Sequence, residues 1–99
     1  MTPEAFRLSL QQPAPPAGLG AALEALWWDA NGKWDKAHER AQADDGAECA
    51  WVHAYLHRKE GDLDNAGYWY REAGRSRAQG ALQDEWAAIV ATLLGAMRD

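Results

Sequence analysis

From Leu19 onward the apolar positions recur at helical spacing. Leu19, Ala22, Leu23, Leu26 and Ala30 fall on one stripe, the i, i+3, i+4, i+7 pattern of an amphipathic helix. Asn31-Gly32 closes it, because glycine takes the left-handed conformation that ends a helix. A second helix is expected from Trp34 to Ala43. Asp45 stands three residues before Glu48, capping-box spacing that predicts a third helix running to Glu60. Gly61 ends that helix, and Asp62 can cap a fourth from Leu63 to Arg75. Ser76 and Gln79 repeat the capping-box spacing ahead of a last helix, in which Trp86, Ile89, Val90, Leu93 and Met97 make the cleanest apolar stripe in the chain.

The first 18 residues carry mixed signals. Thr2-Pro3-Glu4 is a helix start, with a hydroxyl cap and proline at the first helical position. Phe6, Leu8 and Leu10 alternate with period two, and Pro13, Pro15 and Pro16 stop any helix soon after. Residues 1–18 are therefore an N-terminal arm, short helix or extended, with its apolar side chains against the main body. Residues 19–99 are expected to form a single helical-repeat domain.

Self-comparison gives the organisation of that domain. Gly32-Lys33-Trp34-Asp35-Lys36-Ala37 aligns with Gly61-Asp62-Leu63-Asp64-Asn65-Ala66 at an offset of 29 residues. The same offset places Leu26 on Tyr55, Ala25 on Ala54, Leu23 on Val52 and Trp27 on Leu56. Each copy reads as helix, glycine turn, one bulky apolar residue, two polar residues, then alanine and a second helix. The bulky residue would plug the base of the hairpin and the alanine would let the helices approach closely. The expectation is all-α: two tandem antiparallel helical hairpins with a C-terminal capping helix.

These residues resemble the tetratricopeptide and Sel1-like class of helical repeats. Gly61-Asp62-Leu63, Ala66, Tyr70 and Ala73 follow the class spacing, and Trp69-Tyr70-Arg71-Glu72-Ala73-Gly74 is similar to the Trp-Tyr-x-x-Ala of Sel1 repeats. The stretch from Ala54 to Gly74 also resembles a family of short uncharacterised bacterial and fungal proteins, a likeness that implies no activity. The resemblance covers roughly residues 20–75 and implies architecture, with the first helix of each hairpin lining a concave surface.

Composition agrees with helix: alanine numbers 21, whereas Val, Ile and Thr together number five. A formal net charge of −5 and a pI of about 5.1 deny the chain a basic footprint for nucleic acid or anionic lipid. One cysteine, Cys49, precludes an internal disulfide and a CxxC site and suits a cytoplasmic setting. The N-terminus has neither the charged start nor the apolar centre of a signal peptide. The longest nearly apolar run, Ala87 to Met97, falls short of the roughly 20 residues of a membrane span.

Three groups of residues are candidates for function. Six tryptophans, three tyrosines and one phenylalanine exceed what an interior of this size requires. Most are expected in the core, alternating with alanine, and Trp28 and Tyr68 are expected to face outward as anchors for a partner. His53 and His57 stand four apart and share one helix face. Two ligands are too few for zinc and only Glu60 follows at helical spacing, so the pair is read as half-buried histidines lining the groove, with no metal or cofactor. Arg58, Arg71 and Arg75, with Lys59 and Arg77, could clamp a carboxylate or phosphate. As a solvated face they would instead pair with Glu60, Asp62, Asp64 and Glu72, each pair contributing about 0.3–0.5 kcal/mol.

Catalysis has little support. Cys49 lacks electropositive neighbours, Ser9 and Ser76 lie outside a GxSxG context, and Asp44, Asp45 and Glu48 are explained by helix-start duty. The expected function is a non-catalytic module that binds a protein or peptide through an aromatic and His/Arg-lined groove, with self-association through the last helix as a companion. The alternative is a small-molecule binder or minor enzyme with a pocket centred on His53 and His57.

Overall fold

The structure, a computed structural model, describes residues 1–97; the last two positions of the expected 19–99 domain lie outside the described residues. Those residues form six helices and no strand: α1 (Pro3–Ser9), α2 (Ala21–Ala30), α3 (Trp34–Ala41), α4 (Ala47–Glu60), α5 (Leu63–Ala73) and α6 (Leu82–Ala96). None of them is long and apolar enough to cross a membrane.

The N-terminal arm is helical because its cap works. The Thr2 hydroxyl accepts the Ala5 N–H at 3.1 Å with proline in the first turn. Phe6 is completely buried, its ring centroid 5.8 Å from that of Trp86 on α6. Trp27 on α2 donates its indole N–H to Ser9 and so ties down the end of α1.

Helices α2 and α3 pack along one another, as do α4 and α5. Gly32 and Gly61 both have positive φ, 76° and 90°, which is what the two short turns require. Ala37 and Ala66, equivalent in the sequence repeat, are both buried. The bulky plug is not duplicated. Trp34 is half-buried and donates its indole N–H to the Leu56 carbonyl at 3.0 Å, whereas Leu63 is 58% exposed.

Two expected helix starts are displaced. Gly46, not Asp45, caps α4 without a side-chain bond, and the nearby carboxylate of Asp44 accepts the Gly46 N–H at 2.8 Å. Ser76 and Gln79 cap nothing: Gly80, with φ 89°, breaks the chain away from helix, and α6 begins only at Leu82. By contrast Asp62 caps α5 as its position predicts, accepting the Asn65 N–H at 3.2 Å.

Helix α4 is the centre of the molecule, with every residue from Cys49 to His57 buried. Its neighbours are α2, α3, α5 and α6. Ile89, Val90 and Leu93 of the last helix are buried, and Trp86 donates to the Leu26 carbonyl at 3.1 Å. Most of the stripe that could have served as a dimer seam is thus spent inside the molecule. The radius of gyration is 12.4 Å, close to the roughly 13 Å of a packed chain of about 100 residues; α1 is therefore docked rather than trailing.

This packing separates two aromatic substitutions. Phe6→Ala should lower stability by about 3–5 kcal/mol, and Tyr68→Ala should change it by no more than about 0.5 kcal/mol. Urea unfolding of the two variants measures this; a loss for Phe6→Ala as small as that expected for Tyr68→Ala would mean that α1 does not belong to the core.

Candidate functional site

Helix α4 presents two opposite faces. Tyr55 and Arg58 turn toward α2 and α6, while His53 and His57, one helical turn apart, turn toward α3 and α5. His38, from α3, joins them. Its Nε2 lies 2.9 Å from His53 Nε2, so one ring supplies the N–H and the other the lone pair. The His57 ring centroid is 5.1 Å from that of His38 and 4.8 Å from that of His53. Nothing in the local sequence around His53 points to His38, because the contact spans 15 residues and two helices.

Each ring is held by a different device. Trp34 stacks on His38, centroids 4.9 Å apart and planes 10° from parallel, and its bond to Leu56 fixes the indole on α4. Trp69 of α5 stacks on His53 at 3.9 Å and 12°. His57 Nδ1 faces Glu60 Oε1 at 2.6 Å, which leaves Nε2 as its other functional nitrogen. Trp34 and Trp69 therefore wall a site in which α4 supplies the floor.

Burial sets the protonation of the cluster. It drives the pKa of His53 from 6.5 down to about 4, with His38 and His57 adding repulsion against a second positive charge. His38 is lowered by the same causes, burial first and His57 second, against opposition from Glu60 and Asp35. Both rings are neutral at pH 7. A cleft of about 340 Å³ reaches His53 and Trp69 from outside, between the end of α3, the loop before α4, and α5. Asp44, Asp45 and Glu72 stand on its border and make the entrance acidic.

The other expected site residues are dispersed. Arg58 bonds Glu85 of α6 at 2.9 Å and is largely covered. Arg75 places its guanidinium 3.6 Å above the Trp51 ring. Arg71 is exposed on α5, and Lys59 bonds buried Asp29 at 2.9 Å. Lys59, Arg58 and Arg75 therefore meet Asp29, Glu85 and an indole in place of Glu60, Asp62, Asp64 and Glu72, and Arg58, Arg71 and Arg75 do not converge. Tyr68 is exposed, and Trp28 is half-buried, with the Lys36 ammonium 4.1 Å from its ring.

Two buried carboxylates organise the opposite face of α4. Asp29 accepts from Tyr55 at 3.0 Å as well as from Lys59, and Glu85 accepts from Tyr70 as well as from Arg58. Burial together with these carboxylates raises both phenols above the ordinary tyrosine value. The Asp29–Lys59 pair borders a second cleft, about 460 Å³, with Leu10, Leu82 and Trp86. Cys49 is buried, which pushes its thiol up to about 11 with help from Asp44 and Glu48, so it is no nucleophile near neutrality. No protein-family model, curated protein or solved structure matches the chain.

The depressed His53 value has a definite consequence for pH. Between pH 6.5 and about 4 the unfolded chain carries a proton that the folded ring refuses, so the ring's contribution to stability is complete above 6.5 and is lost as pH falls through that window. An NMR titration of the imidazole Cε1–H groups should show one ring titrating near 4, and a ring at position 53 titrating at its ordinary 6.5 would refute the burial argument. The urea midpoint should accordingly be lower at about pH 5 than at about pH 7.

Proposed function

We propose that this protein is a non-catalytic binding module, built as two tetratricopeptide-like helical hairpins with α6 as the capping helix. Its binding seat is the cleft over α4 between α3 and α5. The face of α4 that meets α6 is occupied by the protein's own last helix, which supports placing the seat on the His53 side. A single observation carries the reading: a cleft with three rim carboxylates leads to the neutral His53 imidazole and the Trp69 indole stacked on it. That combination suits a positively charged group. Carboxylates attract it from solution, the His53 ring can accept a hydrogen bond from it, and the Trp69 face can stack on it.

The occupant fitting the expected peptide partner is a basic side chain, an arginine or lysine on a protein segment. This reverses the charge suggested by the sequence, where the arginines pointed to an anionic ligand. The second cleft beside Asp29 and Lys59 is the seat that small-molecule binding would favour, since its walls are mostly apolar and it holds a buried carboxylate and an ammonium.

Short synthetic peptides distinguish the two. An arginine-containing peptide should shift the Gly46 amide and the Trp69 indole N–H in NMR spectra, and a glutamate-containing peptide of equal length should not. Reversing two rim charges, Asp45→Lys with Glu72→Lys, should weaken binding by roughly tenfold or more. Shifts confined to residues around Asp29 and Lys59, or equal binding of both peptides, would overturn the assignment.

A further inference from the structure

We propose that His38, His53 and His57 are the protein ligands of a transition-metal site, taking one borderline divalent ion of the zinc, cobalt or copper kind. This deepens the reading of the α3–α5 cleft as a cation seat and rests on it for the route of entry. On sequence spacing alone the α4 pair lacks a third partner; the fold supplies it from α3.

One ring nitrogen from each histidine lies within 4.8 Å of those of the other two. A tetrahedral ion bound at about 2.0–2.1 Å requires nitrogens about 3.4 Å apart. His38 and His53 need open by only a fraction of an ångström from their 2.9 Å separation, and rotation of the His57 side chain brings in the third nitrogen, which lies within 4.8 Å of the other two. The ion would stand between the two Nε2 atoms, and the ring that now donates would carry its proton on Nδ1 instead, so both imidazoles stay neutral and both nitrogens keep a partner in either state.

The surroundings resemble those of a metal site more than those of a core polar cluster. Metal-bound histidines commonly direct their other nitrogen to a carboxylate, which orients the ring and strengthens it as a donor. Glu60 stands in that relation to His57 Nδ1, at 2.6 Å. Trp34 and Trp69 fix the other two planes by stacking. The rings are thus held before any ion arrives, which lowers the ordering cost of binding. The approach is acidic, through Asp44, Asp45 and Glu72, as befits a dication.

The donor set selects the metal class. Three imidazoles with no carboxylate among them suit zinc, copper, nickel or cobalt and disfavour magnesium and calcium, which take oxygen. Cys49 borders a different cleft, with Leu19 and Leu93, so no thiolate competes for a softer ion. Three nitrogens leave a tetrahedral ion one position for water or for a donor from a ligand in the cleft. Glu60 is a positioning residue, since it acts through His57.

Cobalt(II) titration of the full chain tests the site. One equivalent should bind with the intense visible absorption of a tetrahedral centre, and zinc(II) should displace it while magnesium(II) does not. His38→Phe keeps an aromatic ring under Trp34 but removes the third nitrogen, and should weaken binding by at least tenfold in calorimetry with folding verified by circular dichroism. Glu60→Gln, a surface change, should weaken it by about 10–100-fold, a second readout should His38→Phe fail to fold. No saturable cobalt binding, or binding indifferent to both substitutions, overturns the metal site. The arginine peptide, run with a chelator present, separates the failures: peptide binding without cobalt binding leaves the cleft reading intact and removes the metal, and the reverse result does the opposite.

Discussion

A helix buried on every side cannot leave a polar group unanswered, and α4 is such a helix. Through the stretch from Cys49 to His57 it carries two imidazoles and a phenol into the interior. Each would cost about 1–3 kcal/mol if left without a partner. The rest of the fold is arranged around supplying those partners. Asp29 of α2 answers Tyr55, His38 of α3 answers His53, and Glu60 answers His57 from the same helix. The cations that follow on α4, Arg58 and Lys59, are neutralised in turn by Glu85 and Asp29. Every neighbouring helix except α5 is thereby bonded to α4 through a charged or titratable side chain, and α5 reaches it by stacking Trp69 on His53.

What could be read from the sequence follows from how local each signal is. Glycine turns at Gly32 and Gly61, the Asp62 cap and the Ile89, Val90 and Leu93 part of the last stripe, from which Met97 departs by being exposed, are short-range features whose physics is complete within a few residues. They appear in the structure where the pattern puts them. The capping boxes at Asp45 and Ser76 misled for the same reason. Their spacing is right, but Gly46 and Gly80 shift the starts of α4 and α6 by one or more residues. The Leu63 plug failed through asymmetry of the repeat. At the equivalent position Trp34 is large enough to reach across to Leu56, whereas leucine is not and stays at the surface.

The candidate site was half legible. His53 and His57 declare themselves by spacing on one helix, but nothing near them in the chain requires a third histidine. His38 becomes their neighbour only because α3 lies beside α4, a consequence of the turn at Gly32 and of the close approach at Ala37. The arginines misled in the opposite direction. Seen as a list they form a basic cluster; in space Arg58 is consumed by Glu85 and Arg75 by Trp51. Arg58 belongs to α4, and the left-handed Gly74 ends α5 before Arg75, so Arg71 and Arg75 share no helix face and density of charge in sequence did not become a patch.

Stability alone does not account for three histidines in that position. A buried polar pair can be exchanged for apolar groups of the same shape at little or no loss, often with gain. Leucines at positions 38, 53 and 57 would remove the pH-dependent cost that the depressed His53 value describes and would still pack against Trp34 and Trp69. The Asp29 and Glu85 arrangements differ, because each joins α4 to another helix through a charged bond and so helps to fix register. The imidazole cluster joins α3 to α4 by one neutral hydrogen bond, beside an acidic opening to solvent. What the imidazoles add, and leucine could not, is one ring nitrogen from each of three side chains, all within 4.8 Å of one another, the convergence on which the proposed cation site rests.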